Sequence, residues 1–505
     1  MDTRSPATET SVPDPGAPRQ DGFFGHPRGL ATLFFTEMWE RFSYYGMRAL
    51  LILFMVDAAA TGGLGMTDRR AAAIYGLYTA GVYLLALPGG WIADRILGQR
   101  SAVFWGGVVI AAGHFSMAIP SRPTFFLGLT LIVIGTGLLK PNVSSIVGDL
   151  YPEGGARRDA GFSVFYMGIN IGALVGPVIC GLLGEGINWH LGFSAAGVGM
   201  VLGLVQYRFG AKYLGNAGFM EAEERERRPA ALRSLLYGIG AVAAIAVVLG
   251  VLDAGGVVAI GFESFARWTA YIIVGVAVLY FGSVLTLGDL TGRQKKRVFV
   301  IFLLFVAAAL FWSGFEQAGS SMNLFAERLT DRAVLGWEMP ASVLQSINPF
   351  FIIVMAPVFG ALWVWLNHRG KEPSIPVKFG AGLLLLGVSF VVMMWAATQA
   401  SQTHRVTPFF LIAAYFLQTC GELSLSPVGL SSVTKLAPRR LVSQMMGTWF
   451  MGSALGNLIA GLVAGNFETM PLPELFGRVA MFAAAGGFLM LIFAAGIKKL
   501  IGKLD

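Results

Sequence analysis

Residues 34–55 read FFTEMWERFSYYGMRALLILFM, a stretch apolar enough to enter a bilayer that still carries Glu37, Glu40, Arg41 and Arg48. An isolated charge at the bilayer centre costs roughly 2.5–3.5 kcal/mol on insertion scales. At about 100° per residue, Glu37, Glu40, Arg41, Tyr44, Tyr45 and Arg48 share an arc of roughly 140°. Trp39, Phe42, Leu50 and Ile52 fall opposite. Charges so grouped face a bundle interior or a wet cavity, where ionisable side chains handle ions and substrates. A structural Glu37–Arg41 pair at i, i+4 is the alternative, and it would leave the remaining polar residues without a reason.

Three further charges stand alone in apolar surroundings: Lys140 in GTGLLKPN, Glu316 in FWSGFEQAGSS and Glu422 in TCGELSLSPVG. Each needs a partner or a proton. With the first group they make four acids against three bases, a balance that one bound proton neutralises. Proton coupling follows as an expectation, because protonation of a carboxylate would release a cationic partner. No cluster of oxygen ligands suited to Na⁺ is visible. The cations Arg48 and Lys140 lie in the N-terminal half of the chain, and the acids Glu316 and Glu422 in the C-terminal half. A solute with a carboxylate at one end and an ammonium at the other would fit between them. Tyr44, Tyr45, Tyr83, Trp312 and Trp449 could line side-chain pockets or cover a cation, though plain packing suits any one of them as well. Asn170 and Asn348 could bind solute or hydrogen-bond between helices.

The elements that must position these residues are membrane helices. The chain has 505 residues, of which 55% are hydrophobic and 13% charged, with a mean hydropathy of +0.66. An ordinary soluble domain carries about 25% charged residues. The fold class expected is an all-α polytopic membrane protein, with fourteen apolar spans on a twenty-residue criterion. Lys and Arg concentrate in alternate loops, which puts both termini in the cytoplasm. The net charge of +8 therefore reflects topology and anionic lipid, and implies no nucleic-acid partner. Cys180 and Cys420 lie far apart in apolar segments and read as two buried free thiols.

Residues 1–22 read as a disordered cytoplasmic tail without a cleaved signal. An N-terminal six-helix bundle is expected over 23–208, and a C-terminal one over 297–500, with a short tail at 501–505. Between them, 209–296 holds a charged stretch, EAEERERRPAALR, read as a cytoplasmic connector helix, and two uncharged spans read as an inserted hairpin. YMGINIGAL (166–174) resembles FMGSALGNL (450–458), and Pro141 resembles Pro427 in placement. Repeated halves put a substrate site at their interface near the midplane. The five His residues are scattered, and no zinc spacing, nucleophile elbow or phosphate loop appears. No enzyme, metal or organic cofactor is expected; the proton is the coupling ion.

Taken together, these motifs resemble the proton-dependent oligopeptide transporters, a branch of the major facilitator superfamily. EMWERFSYYG is similar to that family's Glu-x-x-Glu-Arg-Phe-x-Tyr-Tyr-Gly motif, GGWIADRILGQR to its first signature, FSVFYMGINIGALVGP to its second, and GELSLSPVGLSSVTKLAP to its tenth-span motif. The hairpin resembles the fourteen-span arrangement of bacterial members. The resemblance implies two six-helix bundles that rock about a central site and import di- and tripeptides with protons, in a monomer of the cytoplasmic membrane. It implies a proton-sensing cluster of Glu37, Glu40 and Arg41. It assigns the peptide carboxylate to Arg48 and Lys140, and the amino group to Glu422, Asn170 and Asn348. It implies gating salt bridges Arg48–Glu316 and Lys140–Glu422, and pocket positions at Tyr44, Tyr45, Tyr83, Trp312, Ser426 and Trp449. Some members carry two adjacent acids in the seventh span; here Phe315 precedes Glu316. The same fold moving nitrate, a drug or an amino-acid derivative is the alternative.

Overall fold

The computed structural model describes residues 22–502 apart from 154, 221, 335 and 402. The predicted N-terminal tail lies outside the described residues except for Gly22, as does the C-terminal tail beyond Gly502. The N-terminal half comprises α1 (Arg28–Val56), α2 (Asp68–Leu84), α3 (Ala86–Ile92), α4 (Gln99–Met117), α5 (Arg122–Asp149), α6 (Gly155–Gly184) and α7 (Trp189–Gly210). Then come α8 (Ala222–Ala254) and α9 (Phe262–Thr286). The C-terminal half comprises α10 (Gly292–Phe315), α11 (Ser321–Leu329), α12 (Ile347–His368), α13 (Ile375–Gln399), α14 (Phe409–Leu436), α15 (Val442–Ala464), α16 (Leu472–Ile492) and α17 (Ala494–Ile501). A two-residue antiparallel ribbon, Ala333–Val334 with Trp337–Glu338, interrupts the α11–α12 connection.

Among the described residues, twelve helical segments are long and apolar enough to cross a membrane. Neither α1, with its four charges, nor α4 is one of the twelve. The second expected span is not one helix. Pro88 has no N–H for the Leu84 carbonyl, and α2 stops there; α3 and a π turn at Ala93–Leu97 complete the crossing. The span that carries Glu316 breaks likewise, at a 3₁₀ turn over Glu316–Gly319 between α10 and α11. The fourth does not break: α5 continues through Pro141, and Asn142 Nδ2 donates to the Leu138 carbonyl at 2.6 Å beside the proline. The separate connector helix is also not found. The charged stretch forms the first turns of α8: Ser234, where polar composition gives way to apolar, starts no new helix and donates from Oγ to the Ala230 carbonyl at 3.1 Å.

In the N-terminal half α1 packs on α6 and α7, and α4 on α5; in the C-terminal half α13 packs on α14 and α16, and α10 on α15. Close packing on α6 comes from small residues four apart, Gly168, Gly172 and Gly176, the pattern that lets membrane helices approach. A Cβ on Gly172 would overlap the Met38 carbonyl oxygen of α1. Its counterpart in the sequence repeat is Gly456 of α15, where a Cβ would lie 2.5 Å from Trp312 Cβ of α10. The repeat therefore preserves a seam as well as letters. Cys180 and Cys420 are free and buried.

The halves meet where α2 packs on α15, α6 on α12 and on the 3₁₀ turn Ala341–Ser346 before it, and α1 on α11. Helix α9 touches both halves. Phe262 stacks on Phe126 of α5 with centroids 5.5 Å apart, while Tyr280 donates to Gln444 of α15 at 3.1 Å. Among the described residues, the head of helix α8 packs against Ala93–Leu97, and no residue of its most apolar window is buried.

Candidate functional site

A narrow cavity lies between the halves. From α1 it receives Tyr45 and Arg48, and Tyr83 from α2. Helix α6 contributes Tyr166, Asn170, Ala173 and Pro177, whose i, i+4, i+7, i+11 spacing forms the stripe opposite the glycine seam. The C-terminal half supplies Trp312, Phe315 and Glu316 at the helix break, Gln345 and Asn348 around the start of α12, and Tyr415, Gln418 and Glu422 from α14.

The expected face of α1 is real. Glu37, Glu40, Arg41 and Arg48 are all buried, with relative exposures of 2%, 0%, 3% and 6%. Arg41 Nε lies 3.2 Å from Glu37 Oε1 and also in contact with Glu40. The opposite face is also covered: Phe42, Leu50 and Ile52 are buried against the neighbouring helices, so α1 sits inside the half it belongs to. The cluster keeps unfilled valences, since Glu37 Oε2, Glu40 Oε1 and Arg41 Nη2 are buried without hydrogen-bond partners. Such atoms carry a desolvation cost that a proton or polar solute would relieve.

Two turns further along, Arg48 Nη1 lies 3.0 Å from Glu316 Oε2, across the halves. The break after Phe315 is what turns Glu316 into the cavity. The second expected pair is not formed in this conformation. Lys140 Nζ stands 4.4 Å from the centroid of the Tyr83 ring, a cation–π contact. Glu422 instead accepts from Asn348 Nδ2 at 3.3 Å, and Asn348 also donates to Thr419 Oγ1 at 2.9 Å. Asn170 Nδ2 is held by the Tyr166 carbonyl at 2.9 Å.

Of the substrate positions expected, Tyr45, Arg48, Tyr83, Asn170, Trp312, Glu316, Asn348 and Glu422 line the cavity together. Tyr44, Lys140, Ser426 and Trp449 do not. Tyr44 stacks on Tyr78 at 6.2 Å, and Trp449 packs edge-on to Phe379 at 6.4 Å. Tyr166, Tyr415, Gln345 and Gln418 join the lining without having stood out in the sequence, and helical spacing to a known polar residue is the signal that marks them. Tyr166 precedes Asn170 by four residues, Gln345 precedes Asn348 by three, and Gln418 and Tyr415 precede Glu422 by four and seven. Trp312 Nε1, Gln345 Nε2, Tyr415 Oη and Gln418 Oε1 are buried without partners. The cavity thus offers an arginine at one wall, a carboxylate at another and neutral donors and acceptors between them. That set can hold a zwitterion with polar bonds along its length.

One end of the cavity is sealed by contacts between halves. Arg328 holds Asp68 through two bonds of 2.7 and 2.8 Å. Asn323 Nδ2 donates to the Ala49 carbonyl at 2.8 Å, and Ser346 Oγ to the Leu174 carbonyl at 2.7 Å.

Two helical halves related by a sequence repeat, enclosing a buried charged cavity sealed at one end, define a membrane transporter. The family model described as "POT family" matches residues 100–222 and 269–478. The chain is 41% identical to the peptide transporter YePEPT of Yersinia enterocolitica, over 98% of each chain. It is 36% identical to a di-/tripeptide transporter of Lactococcus lactis, over 95% of this chain and 97% of the other. A crystal structure of a peptide transporter POT in complex with sulfate superposes with a TM-score of 0.88 at 42% identity, covering 97% of this chain and 98% of that one. The chain belongs to the POT family of multi-pass membrane transporters and has their major facilitator fold.

Proposed function

We propose that this protein imports di- and tripeptides together with protons across the cytoplasmic membrane, by alternating access between its two halves. The observation that carries the reading is the separation of opposite charges in one cavity, Arg48 on α1 against Glu422 on α14 with Asn170 and Asn348 between. A peptide carboxylate replaces Glu316 as partner of Arg48, and Lys140 can swing from Tyr83 to assist it. The amino group takes Glu422, with Asn348 and Asn170 as neighbours. Trp312, Tyr45 and Tyr83 border the side chains; Tyr44 and Trp449 act from behind the wall, as packing. A small anion such as nitrate would leave Glu422 idle.

Glu37, Glu40 and Arg41 form the proton-coupling cluster, and Arg48–Glu316 and Lys140–Glu422 are the gating bridges. Closure of the first with the second open corresponds to a state sealed outside and accessible from the cytoplasm. In this reading α1 and α4 also cross the membrane. Bundles over 23–208 and 297–500 then flank the α8–α9 hairpin, giving fourteen crossings with both termini cytoplasmic. The gap in the family match between 222 and 269 is consistent with an insertion there. The functional unit is a monomer, and the proton is its only coupling ion.

The test is uptake of labelled dialanine into proteoliposomes under an acid-outside, inside-negative gradient. Gradient-dependent accumulation, competed by tripeptides, is expected. Folded protein that neither accumulates dialanine nor is competed by mixed peptides would sink the reading.

A further inference from the structure

Glu185 lies one residue beyond α6, in the loop before α7. Its carboxylate accepts from two backbone amides of the other half: Oε2 from Ala341 N–H at 2.8 Å and Oε1 from Ser342 N–H at 2.9 Å. Those amides open the turn Ala341–Ser346 that leads into α12, so Glu185 acts as the N-terminal cap of a helical segment from across the interface. Most caps come from the chain just before the helix. Here that position is Pro340, which has no side-chain acceptor, and the turn has no side-chain cap of its own.

The approach around this cap is close. A Cβ on Gly181 of α6 would overlap Ser342 Oγ, and one turn deeper Ser346 Oγ reaches the Leu174 carbonyl of the same helix. Arg332 is the charged group that faces Glu185, and it is itself tied to the Met339 carbonyl and to Glu338 in the strand that feeds the turn. The captured segment then continues directly into the cavity: Gln345 lines it, and Asn348 holds Glu422.

We propose that Glu185 is a gating residue of the transport cycle, a latch that holds the outer seal shut by capping the helix of the opposite half. A cap within one half would survive rocking, whereas this one must break whenever the halves part at that end. Breaking it leaves two helix-terminal N–H groups to water and frees the segment that carries Gln345 and Asn348. The seal and the solute cavity are thereby joined by the short run from Ala341 to Asn348. The inference rests on alternating access, with the 185–188 loop on the outer side.

The test uses Ser320→Cys as a reporter in the full-length protein in intact cells. Ser320 is fully buried in the sealed half, at the α10–α11 break, so a membrane-impermeant maleimide reaches it only when the outside opens. The chain without this reporter supplies the blank for Cys180 and Cys420. Glu185→Ala is expected to raise the labelling rate about tenfold. Ala341→Pro, which deletes one donor while leaving Glu185 in place and suits the first turn of a helix, should raise it several-fold. Glu185→Asp, with the acceptor retained on a shorter arm, should fall between Glu185→Ala and the parent. Labelling unchanged in both Glu185→Ala and Ala341→Pro, with normal yield and retained peptide counterflow, overturns the proposal. The reporter needs no solute, so its result stands apart from whether dialanine is the cargo.

Discussion

Replacing Asp68 with Asn should unseal the outer end of the transporter, by an amount the geometry bounds. Asp68 sits in the first turn of α2, is 1% exposed, and receives both guanidinium arms of Arg328 from α11. At an effective dielectric of about 20, charges this close attract by about 6 kcal/mol before desolvation is counted. Breaking one partner of a fully buried pair costs about 3–5 kcal/mol. Here the Arg328 side chain is 31% exposed and keeps Glu327 at 3.4 Å and Glu468 at 3.6 Å, so its charge is not stranded. A loss of about 2–3 kcal/mol remains, which shifts the opening equilibrium about 30- to 150-fold. Outward labelling of the Ser320→Cys reporter should rise accordingly in Asp68→Asn. Arg328→Gln should do more, because it leaves Asp68 buried without a counter-charge. The double variant should then be close to Asp68→Asn alone, since neither residue retains an unpaired charge. Strictly additive effects of the two single changes would refute an interaction between them, and with it the idea that this pair holds the seal.

Glu37→Gln or Glu40→Gln should abolish gradient-driven dialanine uptake while sparing counterflow; driven uptake unchanged in both would reject the proton assignment. Asn348→Ala removes the donor that fixes Glu422, and should raise KM for dialanine about tenfold with a smaller change in kcat, measured from initial uptake rates. Gly172→Ala pushes a methyl into the Met38 carbonyl at the α1–α6 seam and should lower the Tm by several degrees, read by thermal aggregation of the detergent-solubilised protein. Burial pushes the Glu185 carboxyl above its ordinary value in the sealed state, against the opposing pull of its amide donors and Arg332. Opening returns it to water, so the sealed state binds the proton more tightly and external acid stabilises sealing. Reporter labelling should therefore fall as external pH drops towards the ordinary carboxylate range, and Glu185→Ala should remove that component.

The charged face of α1 was legible in the sequence because helical periodicity alone places Glu37, Glu40, Arg41 and Arg48 on one side, and hydrocarbon tolerates them only if that side is buried. The same logic singled out Glu316, Glu422, Asn170 and Asn348, each a polar residue in an apolar span that lipid alone would not accommodate. The internal repeat was legible too, as matching letters; the fold adds that its aligned glycines, Gly172 and Gly456, both lie in close helix seams. Tertiary structure decided the rest. Tyr44 and Tyr45 are adjacent, yet only the rotation of α1 sends Tyr45 to the cavity and Tyr44 against Tyr78. Trp449 has the size and polarity of a pocket wall, but α14 closes on it at Gly429 and Phe379 of α13 stands edge-on beside it. Gln345 and Gln418 carry no charge, so nothing in composition distinguishes them from helix-packing polar residues; only the meeting of two halves leaves their amides unfilled in one cavity. Lys140 and Glu422 show the same limit: they carry opposite charges, yet in the fold Lys140 stands over Tyr83 and Glu422 takes Asn348. The sequence by itself determined which side chains lipid would not accept, through the cost of burying charge. Which of them touch was decided by how the two halves close, and that depends on contacts such as Asp68–Arg328 and Glu185–Ala341 between residues far apart in the chain.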